Sequence, residues 1–324
     1  MLTTLTCRLA AALTLAIAAT TAAAQAYPDR PVKVIVPFPP GAATDNMARV
    51  LASRLQNALG QPFIVENRAG ASGIIGAEHV SKAPADGYTL LYTASGPIAT
   101  SLKLYDSIRY DALRDFTPVS LVIANTVVIA ARSDAAFSSI KDVVAAAQKP
   151  AKPVSIGFGP SGGLPHLLVA MLQRSADIHM TFVPYKGGAP VVVDLLGGTL
   201  DLATGNLTEY LEHIRSGKVK AIALGAPVRS QLLPDTPTLK ELGYDDVVAE
   251  TWSALLAPAG TPPEVISLLN QEVQKMQKDP EFIDMVSKQA AVIKTSTPEE
   301  AKAFIQSEAE RWGKVVVENG IKAN

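Results

Sequence analysis

Apolar residues along the chain gather into short runs separated by Gly- and Pro-rich loops, and between those runs they recur at helical spacing. The first unit is the clearest. Val32-Lys33-Val34-Ile35-Val36 reads as a buried strand, Pro37 to Ala43 as a loop and Thr44 as a helix N-cap. The helix places Met47, Val50, Leu51, Leu55 and Leu59 on one face and stops at Gly60. Phe63 to Glu66 and Tyr88 to Tyr92 read as the next strands, each leading into a loop of small residues, 67–73 and 93–97. A second series follows the run Leu121 to Ala131, with strands at Val154 to Phe158, Met180 to Val183, Leu200 to Thr204 and Val219 to Leu224. Val247 to Ala257 reads as a long strand returning to the first half, followed by helices starting at Pro262 and Pro298. Each Pro follows a Thr placed to cap the helix, and Thr297 with Glu300 completes a capping-box pattern. The last helix spaces Phe304, Ile305, Trp312 and Val316 for burial.

This alternation predicts an α/β architecture of largely parallel sheets flanked by helices. Two long strands that both pass between halves would make a hinge, and a ligand would sit where loops at the strand ends face one another. The expected division is a first lobe of residues 25–124 plus 251–324 and a second of residues 125–250. Residues 1–24 read as a secretory signal peptide, because Arg8 precedes an apolar run from Leu9 to Ala19 and then small residues. Cleavage is expected after Ala24, with Ala26 the alternative. A membrane anchor fits less well: a span needs roughly 20 apolar residues, and this run is shorter and interrupted by Thr14.

Of 324 residues, about 300 remain after the signal, enough for two cores. Lys and Arg number 29 against 30 Asp and Glu, so there is no basic excess with which to hold nucleic acid, and an anion must be held locally. The single cysteine, Cys7, lies in the signal and leaves the mature chain without thiol chemistry. His79, His166, His179 and His213 lack metal-ligand spacing, so neither a metal nor another cofactor is expected.

One loop carries two enzyme-like motifs. Gly157-Phe158-Gly159-Pro160-Ser161-Gly162 matches the dinucleotide fingerprint, but Tyr185 and Lys186 end the next strand where an acidic residue should stand. Gly159-Pro160-Ser161-Gly162-Gly163 matches a nucleophile elbow, which keeps a Ser161-dependent exported hydrolase as an alternative. Such an enzyme needs a late histidine on a loop; His179 precedes a strand and His213 lies in a helical stretch. A simpler reading is that small residues let helix N-terminal amides approach an anion, with the Ser161 hydroxyl beside them, against the alternative of a tight turn without a ligand.

Repetition favours binding. Small-residue loops recur at 39–45, with Pro40, Gly41, Ala42 and Asp45; at 70–73, with Ser72; at 93–96, with Ser95; at 159–163, with Ser161 and Gly162; and at 185–189, with Tyr185, Lys186 and Gly187. Together they would form a polar cleft. His166 lies one turn beyond the Gly159 loop and reads equally as a ligand contact or as packing. Asn206 reads as a contact for the far end of a ligand or as a turn former, and Trp252 as a hinge or core residue.

Ordered motifs then carry a family resemblance. Tyr27-Pro-Asp-Arg-Pro-Val-Lys-Val-Ile-Val-Pro-Phe-Pro-Pro-Gly41, with Asp45, Ala48 and Arg49, resembles the start of the tripartite tricarboxylate transporter receptors, also called the Bug family. Leu59-Gly-Gln-Pro62, Val65-Glu-Asn-Arg68, Ile75-Gly-Ala77, Asp86-Gly-Tyr-Thr-Leu90, Val183-Pro-Tyr-Lys-Gly-Gly-Ala-Pro190, Leu233-Pro-Asp-Thr-Pro-Thr238 and Ala257-Pro-Ala-Gly-Thr-Pro262 extend the likeness over essentially the whole mature chain. The resemblance implies a periplasmic binding protein of type II, a Venus flytrap of two lobes that binds a small carboxylate without catalysis. It also implies a monomer serving a membrane permease of large and small subunits, although family members without such partners leave an orphan solute sensor as an alternative. In this family one carboxylate is held by backbone groups and ordered water, while the far end of the ligand varies. Carried onto this chain, that points to Phe38, Gly41, Ala42 and Asp45 on one side and Ser161, Gly162, Tyr185, Lys186 and Gly187 on the other. Gly41-Ala42 stands where Gly-Gly is frequent, and Ala69 where Pro is usual.

Overall fold

The computed structural model describes residues 27–105, 108–149 and 153–321, so the expected signal peptide lies outside the described residues. Strand β1 (Val32–Val36) forms around four apolar side chains that are all fully buried. Helix α1 (Ala43–Leu59) packs Met47, Leu51 and Leu55 into the same core and ends at Gly60, whose left-handed φ of 75° suits glycine. Strand β2 (Phe63–Asn67), helix α2 (Ile74–Ser81), strand β3 (Thr89–Ala94) and the short helix α3 (Ser95–Ile98) follow. β2 and β3 flank β1, both parallel to it.

Strand β4 (Phe116–Arg132) then runs 17 residues and belongs to two sheets. The chain continues through α4 (Ile140–Ala147), β5 (Val154–Phe158), α5 (Leu164–Ser175), β6 (Met180–Pro184), α6 (Gly188–Gly197), β7 (Leu202–Asn206), α7 (Leu207–Arg215) and β8 (Val219–Leu224). It closes with β9 (Glu250–Pro258), α8 (Pro263–Lys275), α9 (Pro280–Lys288), β10 (Ala291–Ile293) and α10 (Pro298–Glu318). Up to Thr126, β4 pairs antiparallel with β9, and part of this stretch also pairs with β10; from Val127 onward it pairs with β7 and β8. The return passage is tied to the same point, since the Gly225 amide donates to Val127 O and the Ala249 amide to Gly225 O, each at 2.7 Å.

The fold is the expected α/β one, with mixed sheets. The runs β2-β1-β3 and β7-β5-β6 are parallel, whereas β4 and β9 run antiparallel to the strands that they join. A strand that leaves one sheet and a strand that returns to it must point in opposite directions, so the connections themselves introduce the antiparallel pairs. β4 also begins earlier than its apolar run. Pro118 is accommodated because the register with β9 shifts between Pro118 and Ser120, sparing the ladder a missing donor.

Helix α10 spans both cores. Ala301 and Ile305 pack with Trp252 and Ala254 of β9, while Trp312 and Val316 pack with Leu167 and Leu168 of α5. Between them the buried Glu308 accepts the indole N–H of Trp252 at 3.0 Å and that of Trp312 at 2.8 Å. The capping box of Thr297 and Glu300 is present. The other two expected caps are not. Thr44 lies inside α1 behind Ala42, and Thr261 donates to Pro258 O at 2.8 Å while Pro262 takes the cap position of α8.

Candidate functional site

The C-terminal ends of β1, β3, β5 and β7 bring their loops to a cleft of about 440 Å³, whose lining comes from both halves and from the strands that join them. Phe38, Ala43, Thr44, Ser72, Ser95 and Gly96 line one side; Pro160 to Pro165, Asn206, Thr208 and Glu209 line the other. Asn125 of β4 and Thr251, Trp252 and Ser253 of β9 complete it. Opposite elements touch at its floor: the Thr251 hydroxyl donates to Asn206 Oδ1 at 2.8 Å, and Thr208 donates to Gln289 O. Beside them Tyr92 and Ser253 share a buried hydrogen bond of 2.7 Å.

Two loops use the same device to open a helix onto this space. In the first, the Gly41 amide donates 2.8 Å to the carboxylate of Asp45, four residues on. In the second, the Gly162 amide donates 3.0 Å to Nδ1 of His166, again four residues on. Each helix start is thus fastened from within, and the cap positions Ala42 and Gly163 make no side-chain cap hydrogen bond. The first amides of α1 and α5 have no partners along their own helices, so both starts offer N–H groups at the cleft wall.

Asp45 and His166 have distinct electrostatics. Burial alone would raise the Asp45 pKa, but the Gly41 amide, Arg49 at 3.1 Å and Asn67 at 2.8 Å outweigh it and hold the carboxyl below its ordinary range. Burial pushes the His166 imidazole down to about 4, which keeps Nδ1 free to accept from Gly162. The ring stacks on Phe158 with centroids 4.4 Å apart. Its approach to the loop is therefore structural at Nδ1, and among the described residues no hydrogen bond joins Ser161 to a histidine or a carboxylate.

The loop carrying Ser72 is conformationally unusual. Ala71 and Ser72 both adopt left-handed φ, at 46° and 53°, between Gly70 and Gly73, and the Ser72 hydroxyl meets that of Tyr105 at 2.8 Å. Two consecutive non-glycine residues in that region carry strain, a state found preferentially at ligand-contacting segments.

Of the residues singled out in the sequence, Phe38, Ser72, Ser95, Ser161, Gly162 and Asn206 line the cleft. Pro40, Gly41 and Ala42 lie in the loop just before the lining residues Ala43 and Thr44, with Asp45 buried behind them. Tyr185, Lys186 and Gly187 stand beside the Gly159 loop, where the Tyr185 amide donates to Phe158 O at 2.9 Å, but outside the cleft lining. The Tyr185 hydroxyl donates instead to Asp194 at 2.5 Å, and Lys186 is exposed. The sequence reading missed Asn125, Thr251 and Glu209. The first two could be found as polar residues interrupting the apolar strands that join the halves; Glu209 has no such local signal.

The family described as Tripartite tricarboxylate transporter family receptor matches residues 47–321. Protein BugT of Bordetella pertussis (strain Tohama I) is 41% identical over 300 residues, covering 92% of each chain. Among solved structures, the periplasmic binding protein BugD is 34% identical with a TM-score of 0.76, covering 91% of this chain and 99% of its own. R. palustris Rpa4515 with adipate is 31% identical with a TM-score of 0.79, covering 91% and 99%.

Proposed function

Since this chain belongs to the tripartite tricarboxylate transporter receptor family, we propose that it is a periplasmic receptor that closes two lobes on a small carboxylate and passes it unchanged to a membrane permease of large and small subunits. The observation that carries this reading is the pair of helix starts, α1 and α5, which reach one cleft from opposite sides without side-chain caps. Their amides supply the positive potential that a carboxylate requires, and among the described residues the cleft lining contains no Lys, Arg or His to supply it otherwise. A cleft of about 440 Å³ matches a small metabolite. Charge-assisted hydrogen bonds net about 1.5–3 kcal/mol each, so a few, with burial, account for micromolar binding. The adipate complex of Rpa4515 supports carboxylate as the ligand class.

In this reading residues 27–124 with 251–321 form one lobe, residues 125–250 the other, and the hinge lies where β4 and the return to β9 pass between them. Phe38, Ser72 and Ser95 present one wall to the ligand, with Pro40, Gly41 and Ala42 reaching it from the adjoining loop, and Ser161, Gly162 and Asn206 present the other. Asp45 and His166 act one step back, by holding the amide-bearing loops. The loop with Tyr185, Lys186 and Gly187 reaches the ligand on closure. A thermal-shift screen of the purified protein against di- and tricarboxylates, amino acids and aromatic acids tests the proposal. At least one acid should raise the melting temperature saturably; correctly folded protein that responds to none would overturn it.

A further inference from the structure

Among the described residues, Glu209 is the one in the cleft lining with an ionisable carboxyl or a basic group. It lies in the first turn of α7, is half-buried, and takes part in no salt bridge among the described residues. The backbone amide of Asn206, at the cap position of the same helix, holds the carboxyl's pKa down against the effect of burial. The rest of the group is cradled by two glycines. A Cβ at Gly188 would stand 2.3 Å from its Cδ, and a Cβ at Gly205 would stand 2.4 Å from Oε2, so both positions must be glycine for the carboxyl to lie there. The Tyr210 hydroxyl, buried and without a hydrogen-bond partner among the described residues, would stand 3.2 Å from the same Cβ at Gly205. Among the described residues, the cleft lining therefore holds a carboxyl among uncharged groups, with no cation to neutralise it.

We infer that Glu209 is a specificity-determining residue, selecting a ligand that joins one carboxylate to a hydrogen-bond donor, above all an ammonium group, and disfavouring a second ionised carboxylate. The inference rests on the receptor reading given above and narrows its substrate class. Two negative groups in a site of low dielectric repel strongly, while an ammonium or hydroxyl satisfies the remaining lone pairs of the glutamate. Burial already raises the Glu209 pKa to about 7, the cost of holding this charge without a partner, and a bound cation would offset that cost. Selectivity arises as much from this penalty on the wrong ligand as from attraction to the right one.

The test compares wild type with E209Q by calorimetry at pH 8, using acids matched in length: γ-aminobutyrate, γ-hydroxybutyrate and succinate, and likewise alanine, lactate and malonate. Gln keeps the size and a carbonyl acceptor of Glu209, so the fold is preserved, and a residue with only a structural role would change all members of a set alike. The wild type should bind a donor-bearing member more tightly than its dicarboxylate, and E209Q should shift that ratio toward the dicarboxylate by at least about tenfold. A wild type that prefers the dicarboxylate, or a ratio unchanged in E209Q, overturns the role of Glu209 and leaves the receptor reading standing. Absence of binding to these sets and to the wider acid screen, with folded protein, overturns both.

Discussion

Asp45 and His166 are two unlike side chains doing one job, each taking the amide of the glycine four residues earlier. Asp45→Ala would remove the buried carboxylate that accepts from the Gly41 amide and shares the Asn67 side-chain amide with Phe38 O, at a cost of about 1–2 kcal/mol. Chemical denaturation should register this loss, and an unchanged midpoint would remove Asp45 from the loop's support. His166 makes a pH-dependent contribution. Its folded pKa is depressed to about 4 from 6.5, so the neutral ring stabilises the fold above the unfolded value, and this stability is lost as pH falls through the interval. Between pH 7 and pH 4.5 the loss is on the order of 2 kcal/mol. The stability advantage of wild type over His166→Gln should shrink by that amount on acidification; a gap independent of pH would contradict burial of the neutral ring.

Among the elements, glycines at loop ends separate fold from function. Gly162 holds a left-handed φ of 79°, and a Cβ there would stand 2.3 Å from Leu104 Cδ1, so Gly162→Ala should cost about 1–2 kcal/mol in stability. Gly187 is extended, and a Cβ there meets nothing within 4 Å. Gly187→Ala should therefore leave stability within about 0.5 kcal/mol of wild type and weaken ligand binding if its loop closes on the ligand; unchanged affinity would take that loop out of the site. The strands β1, β5 and β8 were legible to the residue, because each is a compact apolar run between turn formers. β10 was not, since three residues carry no period, and α9 was not read between the helices expected from Pro262 and Pro298. The caps at Thr44 and Thr261 were misplaced because propensity favours a hydroxyl beside a helix start, while tertiary contacts chose Ala42 and Pro262. The loops of the cleft were readable as small-residue segments, but Glu209 depends on Gly188 and Gly205 from two other elements, a conjunction that only the fold produces.

At the scale of the molecule, β4, the return to β9 and helix α10 all connect the two cores. α10 carries the most specific link, Glu308 between Trp252 and Trp312. Glu308→Leu would strand two buried indole N–H groups, with an expected loss of about 2–4 kcal/mol by denaturation; a neutral outcome would mean that this link adds nothing to the join. The helix starts that face each other across the cleft give the molecule its proposed purpose, and a crystal structure with a bound acid tests that most directly. The carboxylate oxygens should lie within hydrogen-bond distance, directly or through one water, of first-turn amides from both α1 and α5. A ligand held by one lobe alone, or bound outside the cleft, would contradict the proposal.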